Sequence, residues 1–495
     1  MEEKRRKYAY TRSLCMLLYS AVYRELPGKI LRIEHSISRG QYCRILNSDE
    51  SVFRVDHELV ERLRGRMREL VSRDLPFEEH TCSREEAIEI FRRDGLLQKV
   101  SLLETIAMEE VAYYTLDGIH DGYVGRLLDR TSEVAVFDLR PYKEGMLLLG
   151  PDPDNPSKVV LPIRQAKMYN AFRRSLEFNR VTKVDCVGRL NEAVEKCETP
   201  MLINVAEAMH AKALSRISDD IMRRHRKGGA SLVMLAGPSS SGKTTTCKRL
   251  AVQLMTNMIT PRMISLDDYF VDRHQTPRDE TGDYDYESLY ALDLERFNAD
   301  LNALLAGKEI NLPTYSFELG RRVEKPRPLR LDKDDVLIIE GIHGLNPELT
   351  AGIPAGQVYK LYVSALTSLR LDNHNWISTS DNRLLRRMVR DSRYRGTSPE
   401  QTLERWPSVR RGEEKWIFPF QENADAVFNS SLIFELGVMK DYLQPLLLGV
   451  SEDSPCYEEA RWLADFLGYF LSIPDTQVPS NSLLREFLGG SSFRY

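Results

Sequence analysis

The chain has 495 residues, 42% hydrophobic and 29% charged, an ordinary globular balance that suggests two to four domains. Its 69 basic and 73 acidic side chains leave a net charge of −4, so no bulk positive charge points to nucleic acid or a membrane surface. No run of about 18 apolar residues occurs, and none is expected to span a membrane.

The charged stretch Met1–Tyr10 has no apolar core, so a signal peptide is not expected. Residues 11–26 predict a helix with an apolar stripe through Leu14, Leu17, Leu18 and Val22, ended by Pro27-Gly28. Ile30–Ile37 alternates like a strand, and Gly40 offers a turn before Tyr42–Ile45. Val60, Leu63, Met67 and Leu70 mark a second amphipathic helix, and Ser83 with Glu86 forms a capping box for a third. Ala112–Leu116 and Val134–Leu139 read as short strands. This mixed order predicts an α+β domain over residues 1–150. The turn-rich Pro151–Pro156 breaks the pattern. Residues 163–227 read as helical, so 151–228 is expected to connect the halves. Its last residues, Arg223–Lys227, read as a solvated basic helix end.

From Ser231 the pattern changes. Leu232–Ala236, Met263–Leu266, Val336–Ile339 and Tyr359–Val363 are short apolar runs between helical segments. That alternation predicts an α/β domain with a mainly parallel sheet over residues 229–450. Glu458–Phe470 predicts a further helix, and a short one follows at Leu483–Phe487, giving a helical tail over 451–495.

Seven cysteines, Cys15, Cys43, Cys82, Cys186, Cys197, Cys247 and Cys456, are scattered and never spaced C-x-x-C. They argue against a disulfide framework or a cysteine-rich zinc site, and make a reducing, cytoplasmic setting the simplest one.

Gly237-Pro238-Ser239-Ser240-Ser241-Gly242-Lys243-Thr244 matches G-x-x-x-x-G-K-[ST], with a predicted strand leading in and a helix, Thr244–Met255, leading out. Glycines let backbone wrap close to phosphate oxygens, and successive N–H groups at a helix N-terminus supply a fixed positive field. Lys243 is expected to reach the outer phosphates of ATP, and Thr244 to offer its hydroxyl to Mg²⁺. Thr245 extends the cradle.

Two acidic positions follow strands of this sheet: Asp267 with Asp268, and Glu340. Ligands of open α/β sheets bind beyond the carboxyl ends of strands. Phosphoryl transfer needs charge neutralisation, an in-line hydroxyl and a carboxylate to take its proton. Asp267 is the candidate base, with a second role in the metal shell, and Glu340 the candidate Mg²⁺ residue. Ser380–Asp391 predicts a helix with Arg383, Arg386, Arg387 and Arg390 on one face, followed by Arg393 and Arg395. Such a row suits a lid that closes over ATP.

These pieces carry a resemblance. Residues 231–445 resemble the uridine kinase and phosphoribulokinase family in Ala236–Thr246, Ser265–Phe270 (SLDDYF), Leu312–Phe317 (LPTYSF), Ile338–Leu345 and Asn382–Gly396. The resemblance implies that Asp267 is the catalytic carboxylate, that Thr244 and Glu340 lie in the metal shell, and that Arg387, Arg390 and Arg395 are lid arginines. It places Glu287 on ribose hydroxyls, Tyr315 and Phe317 beside a base, and Tyr269 and Arg321 at the acceptor. Uridine kinases usually carry a histidine where this chain has Gly320, followed by Arg321 and Arg322. Insertions around Asp372–Trp376 and Arg405–Phe420 resemble the larger, multi-domain bacterial branch.

Residues 10–150 are similar to the editing module of threonyl-tRNA synthetases in Ile33–Ser38, Asp74–Glu79 and Val136–Tyr142. Tyr10 and Leu14 stand where that module has its first pair of zinc ligands, so neither zinc nor editing chemistry is expected. The small ubiquitin-like domain that often precedes this module is also expected to be absent.

The leading expectation is an ATP- and Mg²⁺-dependent nucleoside 5′-kinase with a small-molecule acceptor and no membrane or nucleic-acid partner; a homo-oligomer stays admissible. Two alternatives remain open. One keeps the fold and takes a phosphorylated sugar or a pantothenate-like alcohol, which Arg321 and Arg322 admit. The other is an RNA-associated regulatory P-loop NTPase.

Overall fold

The computed structural model describes residues 2–280 and 282–495, without the side chains of residues 2–4; Met1, at the head of the charged stretch, lies outside it. The N-terminal region is α+β. Ile30–Ile37, Gly40–Leu46, Gly145–Leu149 and Asp138–Tyr142 pair antiparallel in that order. A second antiparallel sheet joins Glu78–Ser83, Glu110–Leu116 and Ile119–Asp121. The helix Glu2–Glu25 runs between them, its Leu14, Leu17, Leu18 and Val22 stripe buried in the same core as Val60, Leu63, Met67 and Leu70 of the helix His57–Ser72. Ser83 and Glu86 form the expected capping box. The expected strand Val134–Leu139 is different. Glu133 accepts the N–H groups of Asp129 and Arg130 and closes a turn over Thr131–Val134, so the strand starts only at Asp138.

Tyr10 and Leu14 serve packing. The Tyr10 hydroxyl donates to the Val136 carbonyl and accepts its N–H, each at 3.0 Å, and Leu14 is buried.

The connecting stretch forms three helices, Ala166–Thr182, Val187–Glu195 and Thr199–His225. They break at Lys183 and near Cys197, where the backbone turns left-handed (φ +58° and +57°). Arg224, in the expected basic end, is not simply solvated. It pairs with Asp220 and Asp425 and lies over the Tyr359 ring.

Beyond residue 230 the parallel sheet consists, among the described residues, of β1 (Leu232–Ala236), β2 (Thr260–Ser265), β3 (Asp335–Glu340), β4 (Val358–Ser364) and β5 (Ala426–Asn429). They pair in the order β2-β3-β1-β4-β5. Strand β2 ends one residue earlier than the pattern suggests. Strand β5 was not visible as a pattern, since four residues are too short to show a period. Alternate residues of β1 face opposite cores: Val233 and Leu235 pack with the helix α1 (Lys243–Thr256), Leu232 and Met234 with the helix Leu294–Leu305. Burial on both faces explains the near-continuous apolar runs. Strand order reverses at β1, the place where open sheets of this kind open a crevice.

The insertion near Asp372–Trp376 docks onto the N-terminal region. Asn373 accepts from the Ile33 N–H and from Arg32, and Asn375 donates to the Gly122 carbonyl. Beneath it lie two buried ionic clusters. Arg370 contacts Glu34 at 2.6 Å and Asp185 at 2.7 Å. Lys99 contacts Asp121 at 3.1 Å and Asp372 at 2.9 Å, and His374 contacts Asp121 at 2.8 Å. Burial opposes a charge on Glu34, yet Arg370, Arg44 and Arg32 together bring its carboxyl down to about 2.

Candidate active site

The loop Gly237–Gly242 joins β1 to α1 at the sheet's carboxyl edge. A Cβ at Gly237 would lie 2.0 Å from the Val363 carbonyl oxygen, so β4 leaves room only for glycine. Gly242 has φ +80° and enters the helix in the left-handed region that glycine adopts freely. Lys243 is half-buried, and its Nζ lies 3.2 Å from the Pro238 carbonyl, so the ammonium curls over the loop.

The register of β2 and β3 sets Ser265 beside Glu340. The hydroxyls of Thr244 and Ser265 both donate to Glu340 Oε1, at 3.2 and 3.1 Å, and the Asp267 N–H donates to Ser265 Oγ at 3.3 Å. Thus the phosphate loop, β3 and the turn after β2 meet at one point. Burial and the neighbouring Asp267 charge push the Glu340 carboxyl up to about 7, against Lys243. Asp267, at the cleft surface, is raised too, by desolvation and Asp268, against Lys243 and Arg395. Two repelling carboxylates beside a threonine and a serine hydroxyl form an all-oxygen donor set. That set fits a hard divalent cation such as Mg²⁺. Ser265 was missed by the sequence reading; its position at the end of β2, two residues before Asp267, was the available signal.

The arginine row divides. In helix α2 (Thr379–Tyr394), Arg383 and Arg386 are fully buried rather than part of an open face. Arg383 forms a forked pair with Glu413 at 2.5 and 2.7 Å, and Arg386 pairs with Glu435. Of the other four, three gather on Asp391, Arg387 at 3.1 Å, Arg390 at 2.9 Å and Arg395 at 3.5 Å, while Arg393 lies over the Tyr442 ring at 5.2 Å. Arg387 also donates to Ser239 Oγ at 3.0 Å, which ties this cluster to the phosphate loop. Desolvation lowers Arg395 to about 10, with Arg390 adding to the effect and Asp391 and Asp267 opposing it.

Helix α3 (Pro399–Trp416) supplies Glu413, which also accepts the Ser239 N–H at 3.1 Å and so orders the loop. One turn position earlier, Gly412 lies against Glu287; a Cβ there would fall 2.3 Å from Glu287 Cβ. Glu287 is pushed up to about 7 by burial and by Glu413, against Arg387 and Lys243. Its Oε2 is buried and has no hydrogen-bond partner. Neither Glu413 nor Gly412 stood out in the sequence, because each matters through residues 30 or more positions away.

Phe270, Tyr315 and Phe317 form an aromatic group with ring centroids 5.1–5.6 Å apart, and Tyr286 joins it at 6.5 Å from Phe270. Phe317 is half exposed, Tyr315 buried. Tyr269 is a correction: the structure does not bring it to the cleft. It is 1% exposed, packs edge-on against Phe297, and donates its hydroxyl to Asp300 at 3.1 Å. The 3-10 turn Leu266–Tyr269 turns it into the core while leaving Asp267 outside. Arg321 is exposed on a two-residue hairpin, and Arg322 is drawn to Asp293 at 2.9 Å. Gly320 has φ +64°, and a Cβ there would sit 2.7 Å from the Arg273 guanidinium.

Thr245, in the first turn of α1, is met by a carboxylate. Its N–H and hydroxyl both donate to Glu486 Oε2, at 3.2 and 2.5 Å.

The family model described as "Phosphoribulokinase / Uridine kinase family" matches residues 232–433. A uridine kinase of Brevibacillus brevis is 31% identical over 201 residues, 40% of this chain and 85% of that protein. A uridine kinase of Halobacterium salinarum is 29% identical over 195 residues, 39% of this chain and 77% of that one. The solved D-glycerate 3-kinase of Cryptococcus neoformans superposes with a TM-score of 0.25 at 14% identity, over 57% of this chain and 90% of that one. The family match falls on the parallel-sheet half.

Proposed function

Given that this chain belongs to the phosphoribulokinase and uridine kinase family, whose members transfer phosphate to an alcohol, we propose that it is an ATP- and Mg²⁺-dependent nucleoside 5′-kinase of the cytoplasm. The observation that carries the nucleoside reading is the unpartnered, buried Oε2 of Glu287, the residue that follows Tyr286 of the aromatic group. A buried acceptor without a donor is costly, and vicinal ribose hydroxyls are donors. The half-exposed ring of Phe317, backed by Tyr315, offers a face to a base.

The donor triphosphate lies along the loop Gly237–Thr245 and the N–H groups that open α1, with Lys243 on its outer phosphates. Thr244, Glu340 and Asp267 would hold Mg²⁺, which when bound neutralises charge on the phosphate oxygens. Asp267 accepts the proton of the attacking hydroxyl, its raised carboxyl being closer to a useful base than an ordinary aspartate. Arg387, Arg390 and Arg395, held as a group by Asp391, spread the negative charge of the transition state and close the cleft to water. The domain limits proposed are 1–150, 151–228, 229–450 and 451–495, with the last packed on the sheet's helical layer through Leu463, Leu467, Leu483 and Phe487.

A second acceptor, a phosphorylated sugar, is favoured by one observation. The space above Gly320 is filled by the Arg273 guanidinium, which donates to the Phe317 carbonyl at 2.8 Å, so this wall is cationic. A mass-spectrometric screen of nucleosides, sugar phosphates and pantothenate with ATP and Mg²⁺ separates the readings. A phosphorylated nucleoside as the main product supports the first. ATP hydrolysis stimulated by RNA, with no phosphorylated small product, defeats both.

A further inference from the structure

We propose that Glu486 is an internal competitor for the inner phosphate of the donor and thereby sets the protein's affinity for ATP. This rests on the donor-site reading of the phosphate loop above. The short helix Arg485–Leu488 lies across the start of α1. Glu486 Oε2 takes both the N–H and the hydroxyl of Thr245, and Thr245 is otherwise fully buried. The N–H groups in the first turn of a helix carry the positive end of its dipole, and an anion seated on them is stabilised. In a phosphate loop those N–H groups are the ones that cradle the inner phosphates. A carboxylate and a phosphate cannot share one N–H donor without strong like-charge repulsion, so one must leave when the other binds.

The surrounding contacts hold the carboxylate in place. Leu483 is fully buried against Gly242; a Cβ on that glycine would lie 2.6 Å from Leu483 Cδ2. The Tyr495 hydroxyl lies 2.8 Å from Thr245 Oγ1, while Lys248 reaches the Arg494 carbonyl and sits 5.0 Å from the Tyr495 ring. The Arg386 guanidinium of α2 lies over Phe487 at 5.3 Å, and Gly489 passes close to Tyr394 and Arg393. The segment therefore touches the phosphate loop and the arginine helix together. Burial of the apolar residues Leu483, Leu484, Phe487 and Leu488 anchors it on both sides of Glu486; only the Glu486 side chain needs to swing away.

The test is ATP binding by calorimetry to the full chain, with Glu486→Gln and Glu486→Ala beside the wild type. Glu486→Gln keeps shape and removes charge, so folding is preserved. Both variants are expected to bind ATP about tenfold more tightly, whereas loss of a merely structural contact would weaken binding. Unchanged or weaker ATP affinity in both variants overturns the competitor role. Absence of ATP binding in the wild type and in both variants overturns the donor-site reading, and this proposal with it.

Discussion

The Thr244 hydroxyl lies 3.2 Å from Glu340 Oε1, although 96 positions separate the two residues in the chain. This contact brings the end of the phosphate loop to the carboxyl end of β3, and Ser265 reaches the same oxygen from β2. The Glu340 carboxyl is pushed up to about 7 by burial and by Asp267.

Mg²⁺ binding is expected to release a proton and to strengthen as pH rises from 6 to 8, because a carboxyl near 7 must ionise before it can hold a cation. Mg²⁺ titrations of the ATP complex across that range measure it. A pH-independent affinity, or the same profile in Glu340→Gln, excludes Glu340 from the metal shell.

The raised carboxyl also has a stability signature. Glu340 keeps its proton to about pH 7 in the folded state but loses it near 4.5 when unfolded. The folded state thus binds more protons between those values, and this contribution to stability falls as pH rises through them. Buried His35 and His210, both held down near 3 by burial, act in the opposite direction below 6.5, so the readout is a difference. Glu340→Gln should gain in melting temperature relative to wild type between pH 5 and 8 without Mg²⁺; a constant gap contradicts the assignment.

Asp267→Asn should retain ATP binding and lose ~10²–10⁴-fold in turnover, the usual contribution of a general base. Steady-state kinetics with the acceptor identified by the screen provide the check. Turnover equal to the wild type removes Asp267 from that role.

Gly412→Ala should raise the KM for the acceptor about tenfold or more while leaving the KM for ATP within about twofold. The added methyl falls 2.3 Å from Glu287 Cβ and must displace it. Overpacking of this kind costs about 1–3 kcal/mol, so melting temperature is measured alongside. An unchanged acceptor KM separates Glu287 from acceptor binding.

Arg370→Met should destabilise the chain by about 3–5 kcal/mol, since it removes the fully buried cation shared by Glu34 and Asp185 and leaves Glu34 to Arg44 and Asp185 to Arg189 and Arg32. Adding Glu34→Gln to that variant should recover part of the loss. Denaturant unfolding measures both, and a loss under about 1 kcal/mol in Arg370→Met would falsify the view that this cluster ties the N-terminal region to the sheet.

Much of the site was legible in the sequence because its parts are local. Gly237–Thr244 is one continuous loop, and Asp267 and Glu340 each sit at the end of an apolar run. Chain-local patterns also found the capping box at Ser83 and Glu86. The failures share another cause. Tyr269 neighbours Asp267 in sequence, but one 3-10 turn sends the two side chains to opposite sides. Arg383 and Arg386 lie in a row with Arg387 and Arg390, and helical spacing cannot tell which arginines will find a buried glutamate.

The sequence by itself determined the chemistry available: a phosphate cradle, two acids at strand ends, a reserve of arginines and an aromatic stretch. These follow from short-range rules of backbone conformation and side-chain period. Only the tertiary structure decided which of those groups meet. Pairing of β3 with β2 put Ser265 on Glu340 and its pairing with β1 brought Thr244 there, α3 brought Gly412 and Glu413 to Glu287 and Ser239, and the last helix laid Glu486 on Thr245. Such meetings join residues tens to hundreds of positions apart, and burial of whole faces, not any local preference, selects them.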